Sequence, residues 1–203
     1  GGKYFFTNPQ SINMKMHQQE RAFHLVKKVG CSKELILNKS IKLEGTIVIH
    51  PGCSDIKRAW PELYWFELIK LLTVDHDLSI VKIATSNDLL EKINSNKIKI
   101  KIFKGSLIEF NEWLKTQKLI IGPDSMAGHL AAYNSIPSIS IFGSQDPELT
   151  RPTGLKSKII KPKTSCFHKK VHWRLCEKCM LSIKPITVYK EAVKIISESK
   201  NKA

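Results

Sequence analysis

The chain has 203 residues, 42% hydrophobic and 25% charged, enough for one globular domain of ordinary size or at most two small ones. That balance excludes a disordered chain, and no run of about 18 uncharged apolar residues marks a transmembrane helix. The net charge is +15, yet only four of the 33 basic residues are Arg (Arg21, Arg58, Arg151, Arg174), whereas nucleic-acid readers rely on Arg forks.

The lysines are spread along the chain and alternate with Ile through Lys97–Ile102. They read as a solvated surface; the functional alternative is attraction to an anionic membrane face or an anionic substrate. The N-terminus lacks the apolar stretch of a secretory signal. There is no initiator Met; Gly1-Gly2 reads as a tag remnant, and the chain is expected to be a piece of something longer. Five cysteines are an odd count, which without a secretion signal points to a reducing compartment.

Residues 1–16 are polar, are broken by Asn8-Pro9, and read as a linker. Residues 17–29 carry Ala22, Leu25, Val26 and Val29 on one helical face, with Gly30 as the stop. Thr46–His50 is a β-branched run, so a strand is expected, ending in Pro51-Gly52-Cys53-Ser54. Pro61 opens a helix to about residue 73. Leu78–Ala84 reads as a strand, Asn87–Ile93 as a helix, and Ile98–Phe103 as a half-exposed strand of period two.

Ser106 and Glu109 form a capping box for a helix to about Thr116. A strand over Leu119–Gly122, a short helix over Ala127–Tyr133 and a buried strand over Ser138–Phe142 follow, then a Gly/Pro-containing loop. Ile159 and Ile160 fit a further short strand. Pro185 opens a last helix with Val188, Ala192, Ile195 and Ile196 on one face. Strands alternating with helices predict an α/β fold, a Rossmann-like parallel sheet with helices on both faces, as one domain over residues 17–203. Ligands of such sheets sit outside the carboxyl ends of the strands, so the loops at 50–60, 84–88, 103–107, 122–129 and 142–154 are the candidate site.

No G-x-G-x-x-G, Walker A, H-E-x-x-H or G-x-S-x-G motif is present, which argues against dehydrogenases, P-loop NTPases, zincins and α/β-hydrolases. The loop from His50 to Pro61 places a Gly, then Lys57-Arg58, just before a helix. Backbone N–H groups with a Lys make a diphosphate cradle; the structural alternative is a surface loop with Trp60 anchoring the next helix. In Gly122–Ala132 a buried strand runs through Asp124 and Ser125 into a helix whose N-terminus offers free N–H groups to an anion. Asp124 could instead cap that helix, and His129 could be a core histidine.

Together these segments resemble the C-terminal half of glycosyltransferase family 9, the ADP-heptose:lipopolysaccharide heptosyltransferases. The resemblance covers roughly residues 17–197. It rests on H-P-G-x-x-x-x-K-R-x-W-P, on G-P-D-S-x-x-x-H-L-A-A running on to I-P-S-I-S-I-F-G-S-Q-D-P (Ile136–Pro147), and on the C-E-K-C-M-L-S-I segment with its following helix. It implies the C-terminal domain of a GT-B glycosyltransferase, with Gly52, Cys53 and Ser54 lining the donor diphosphate loop and Lys57 neutralising its charge. Asp124 would bind the sugar hydroxyls, Ser125 and Met126 would offer N–H groups to the phosphates, and His129 would support that turn. Gly105, Ser106 and Leu107 would lie against the adenine, and Asn87 or Asp88 near the ribose.

The pattern departs from the family at Met126, where many members carry Gly, and at Ala84-Thr85-Ser86, where a Gly-rich stretch is common. The family's acceptor domain and catalytic aspartate precede this region, so no catalytic residue is assigned here, and the chain is expected to bind its donor without turning it over. The implied chemistry is inverting transfer of a heptose or related sugar from a nucleotide diphosphate sugar, ADP-heptose by family, to lipopolysaccharide core or lipid A. No cofactor is needed, and a cytoplasmic location against the inner face of the inner membrane is expected. The alternatives are a non-catalytic basic module binding nucleic acid or anionic membrane, and a zinc-stapled domain using Cys166, Cys176, Cys179 and His168 or His172.

Overall fold

The computed structural model describes residues 11–31, 44–163 and 176–200. In chain order it contains α1 (Gln18–Val26), β1 (Ile47–Ile49), α2 (Glu62–Leu72), β2 (Leu78–Val81), α3 (Asn87–Ser95) and β3 (Lys101–Phe103). There follow α4 (Leu107–Leu114), β4 (Leu119–Pro123), α5 (Met126–Tyr133), β5 (Ser138–Ile141), α6 (Pro147–Thr150), β6 (Ser157–Ile160), α7 (Glu177–Leu181) and α8 (Pro185–Lys200). The chain forms two compact units. Among the described residues the smaller comprises residues 11–31 and Asp146–Thr150, and so holds α1 and α6; the other described residues belong to the larger.

In the smaller unit α1 tightens into a 3₁₀ turn at Lys27–Val29 and stops at Gly30, whose φ of 88° is the left-handed conformation glycine adopts without penalty. The face expected to be apolar buries nothing: Leu25, Val26 and Val29 are exposed.

The larger unit is a six-stranded, all-parallel sheet in the order β3-β2-β1-β4-β5-β6. Ile47 pairs with Leu78 on one side and Leu119 on the other. Every residue of β1, β2, β4 and β5 is buried, the pattern of parallel strands covered on both faces. Alternate residues feed two cores. Ile47, Ile49, Ile80, Leu119, Ile121, Ile139 and Ile141 join α2, α3 and α8, with Trp60 and Met180, on one face. Val48, Val81 and Ile120 meet Phe110 and Leu114 of α4 and Ala127 and Ala131 of α5 on the other. The doubly wound architecture expected from the alternation is therefore present.

The boundaries differ where tertiary context overrides local pattern. Pro61 is the cap residue before α2, not part of its first turn. The third strand shortens to Lys101–Phe103, at the sheet edge, because Ile98 and Ile100 pack against the core before the ladder begins. Ala84–Ser86 is a 3₁₀ turn rather than the end of β2. The predicted Ser106–Glu109 capping box forms: the Ser106 N–H donates to Glu109 Oε2 at 2.6 Å, and the Glu109 N–H donates to Ser106 Oγ at 3.3 Å.

Candidate functional site at the sheet switch point

The strand order reverses between β1 and β4: β2 and β3 lie to one side, β5 and β6 to the other. The ladder between the two central strands ends just before a proline on each of them. Pro51 follows β1, and Pro123 ends β4. Ile120 and Asp124 donate their N–H groups to Pro137 and Ile141 on the β5 side. The donor missing from Pro123 thus falls on the β1 side, where β1 has already ended, and costs no ladder bond. The chain parts here, in the position where open α/β sheets take their ligands.

The loop after β1 is built tightly. Gly52 is buried, and a Cβ there would lie 2.6 Å from Ile83 Cδ1, so the loop presses against the one following β2. The Cys53 thiol donates to the Asp55 carbonyl at 3.1 Å, and burial pushes the thiol pKa up, leaving a poor nucleophile. Asp55 Oδ1 accepts from the Lys57 N–H at 2.9 Å and starts a 3₁₀ turn over Ile56–Arg58. That turn sends the two adjacent cations to different places. Lys57 is exposed, while Arg58 reaches the loop after β4.

Arg58 joins the two halves of the switch point. Its Nη1 lies 3.6 Å from Asp124 Oδ2 and donates to the Asp124 carbonyl at 3.5 Å, and its Nη2 donates to Ser54 Oγ. Asp124 is only 7% exposed and its carboxylate faces Arg58, so it does not serve as the helix cap. Ser125 occupies the cap position of α5 with a hydroxyl that makes no capping bond. The first-turn N–H groups of α5 therefore keep the orphan character and positive dipole end that favour an anion. Three buried side-chain atoms here have no hydrogen-bond partner: His50 Nδ1, Arg58 Nε and Ser125 Oγ. Burial lowers the His50 pKa, opposed by backbone groups of His50 and Gly52.

Burial raises the Asp124 pKa, with Arg58 and then His129 pulling it back. With a raised pKa, the native state holds its proton where the unfolded chain has released it, so stability falls as pH rises through that window. The window opens at the ordinary aspartate value of about 4 and closes at the raised native value. Asp124→Asn is expected to remove this slope in urea midpoints measured across the acid range. An unchanged slope in the variant would contradict the assignment.

The structure thus brings Gly52, Cys53, Ser54, Asp124, Ser125, Met126 and His129 to one end of β1 and β4; Met126 is 48% exposed on the first turn of α5. Asp88 is exposed on the first turn of α3. Gly105, Ser106 and Leu107 follow β3, two strands away from β1, about 10 Å at ordinary strand spacing. Ser106 is committed to Glu109, so what that loop offers a ligand is the exposed Leu107 side chain.

Of the zinc candidates, Cys166, His168 and His172 lie outside the described residues. Cys176 donates its N–H to Ser144 Oγ, and Cys179 is buried beside Gly143. Among the described residues no three His, Cys, Asp or Glu side chains are grouped to hold a metal. No helix among them is long and apolar enough to cross a membrane. Lys97, Lys99 and Lys101 are exposed at the β3 edge, as a solvated face requires.

A doubly wound parallel sheet with an uncapped helix N-terminus at its switch point defines a Rossmann-like domain. The chain belongs to glycosyltransferase family 9 (heptosyltransferase), whose family model matches residues 4–179. It is similar in fold to the E. coli heptosyltransferase WaaC with ADP, at a TM-score of 0.73 and 18% identity, over 95% of this chain and 61% of that one. The glycosyl transferase family 9 protein from Veillonella parvula DSM 2008 gives 0.75 and 13%, over 97% and 65%. E. coli ADP-heptose LPS heptosyltransferase II gives 0.65 and 17%, over 95% and 54%. The chain therefore spans little more than half to two thirds of the length of these solved relatives. No curated protein matches it by sequence.

Proposed function

We propose that this chain is the donor-binding part of an inverting glycosyltransferase that moves a heptose or related sugar from a nucleotide diphosphate sugar to lipopolysaccharide core or lipid A. The observation that carries this reading is the switch point itself. There Arg58 clamps the loop after β1 to Asp124, beside an α5 N-terminus whose cap hydroxyl is buried and unpartnered. The WaaC structures hold ADP and ADP-2-deoxy-2-fluoro heptose, and an ADP-sugar is the donor we assign here.

Each residue then has a task. The first-turn N–H groups of α5, at Met126 and beyond, with Lys57 from the opposite loop, stabilise charge on the departing diphosphate. Gly52 and Cys53 line the diphosphate with backbone. Asp124 and Ser54 accept and donate to sugar hydroxyls, His129 supports the turn, Asp88 lies toward the ribose and Leu107 covers the base. The acceptor hydroxyl loses its proton to a carboxylate that we place outside this chain, and attacks the anomeric carbon as the diphosphate leaves.

A thermal-shift series with ADP, UDP, GDP and their sugars tests this reading; a shift for ADP and its sugar is expected, and no shift for any nucleotide would refute it. Lys57→Ala is expected to weaken ADP and ADP-sugar binding alike, by about 1–3 kcal/mol, the scale of one charge-assisted hydrogen bond. Because Lys57 is exposed, the melting temperature of the unliganded chain should stay put. Titration calorimetry of the variant checks both.

A further inference from the structure

Arg58 carries more than a surface residue would need to. It is three-quarters buried at 25% side-chain exposure, and it makes three polar contacts to two loops: Asp124 Oδ2, the Asp124 carbonyl and Ser54 Oγ. Its Nε is buried with no partner. A buried, unsatisfied donor is costly, so a residue kept for stability alone would be poorly suited to the place. The same guanidinium touches both side chains assigned to the sugar.

We propose that Arg58 is a positioning residue for sugar recognition. Through its planar fork it fixes the rotamer of the Asp124 carboxylate and the Ser54 hydroxyl, so that the donor's sugar, rather than its nucleotide, meets a preformed pair of hydrogen-bonding groups. This rests on the donor-site reading above. It separates the neighbouring cations by role: Lys57 acts on the diphosphate, Arg58 acts on the sugar through Asp124. A Lys could not do the second task equally well, because an ammonium is a point charge without the fork that bridges a carboxylate, a carbonyl and a hydroxyl at once.

Asp124 also feels the charge of His129 and lies within electrostatic reach of the Cys53 thiol, so Arg58 is its strongest cationic influence but not its only ionisable neighbour. Removing the guanidinium takes away the largest influence that keeps the buried carboxylate ionised. The acid limb of sugar binding should then move to higher pH.

The test is titration of wild type, Arg58→Gln and Arg58→Lys with ADP and with ADP-heptose, from acid to neutral pH, alongside thermal melting of each. Arg58→Gln is expected to lower ADP-heptose affinity about tenfold or more, the scale of one charge-assisted contact, with ADP much less affected. Its acid limb should lie above that of wild type, and Arg58→Lys should recover part of both. A lower melting temperature with an unchanged ratio of the two affinities would make Arg58 merely structural and overturn the proposal. Equal losses for ADP and ADP-heptose would overturn it too, by making Arg58 a phosphate ligand. If Arg58→Gln does not fold, Arg58→Lys decides alone: reduced selectivity for the sugar supports the proposal, unchanged selectivity overturns it. Failure of wild type to bind either compound refutes the donor site itself, and the proposal with it.

Discussion

Replacing Trp60 by alanine is expected to cost about 3–5 kcal/mol, the range for emptying a buried aromatic site. Trp60 is 2% exposed; its indole N–H donates to the Ile183 carbonyl at 2.9 Å, and its ring meets Trp65 edge-on at 4.8 Å. The substitution leaves both a cavity and an orphaned carbonyl, in a domain whose total stability is of order 5–15 kcal/mol. The effect reaches the site, because Trp60 follows the Ile56–Arg58 turn by two residues and α7 packs on that same turn. Without the anchor, Lys57 and Arg58 lose their fixed positions, so nucleotide affinity should fall with stability. Trp60→Phe keeps most of the bulk and loses only the N–H donor, and should cost less. Urea midpoints for the two variants check this; a loss below about 1 kcal/mol for Trp60→Ala would show that the site collapses without penalty.

Gly128→Leu is expected to be the second most damaging change. The buried face of α5 consists of Ala127, Gly128, Ala131 and Ala132, small residues that let the helix sit close to the sheet. A Cβ at position 128 would lie 2.6 Å from Ser140 Oγ and 3.0 Å from Pro152 Cγ. Helix propensity favours alanine over glycine by up to about 1 kcal/mol, and the Ser140 hydroxyl can rotate away, but the Pro152 ring cannot. Gly128→Ala therefore sets propensity against a few tenths of an ångström of movement and should be close to neutral. Leucine cannot be placed without lifting α5, at a cost of about 1–3 kcal/mol for overpacking. Lifting α5 displaces Ser125 and the Met126 N–H, so nucleotide binding should weaken with stability. A Gly128→Leu variant that melts and binds like wild type would contradict the close approach.

Much of this fold is visible in the sequence because the sheet is buried on both faces. Runs such as Ile47–Ile49 and Ser138–Ile141 are continuous and β-branched, and the helices between them carry caps and periodic faces. The short helices Pro147–Thr150 and Glu177–Leu181 left no such signal, since one turn of helix has no period to detect. The exposed face of α1 shows the opposite failure: Leu25, Val26 and Val29 keep an apolar spacing without burial among the described residues.

The candidate loops were legible as strand ends: the carboxyl-end rule gives five, and the Gly and Lys57-Arg58 of one and the Asp124-Ser125 of another draw attention to those at 50–60 and 122–129. The internal wiring of the site was not. Arg58 and Asp124 are 66 residues apart, and no local pattern says that the second cation of Lys57-Arg58, and not the first, turns toward the aspartate. That choice is made by the 3₁₀ turn which Asp55 starts, a feature with a one-residue signature.

Whether the switch point holds a nucleotide diphosphate sugar is decided by calorimetric titration of the chain with ADP and then ADP-heptose, at low and high salt. Saturable one-to-one binding of ADP in the micromolar to millimolar range is expected, with tighter binding of ADP-heptose and little loss at high salt. No heat with any nucleoside diphosphate, together with polyanion binding that collapses steeply as salt rises, would contradict it and assign the basic surface to nucleic acid or membrane instead.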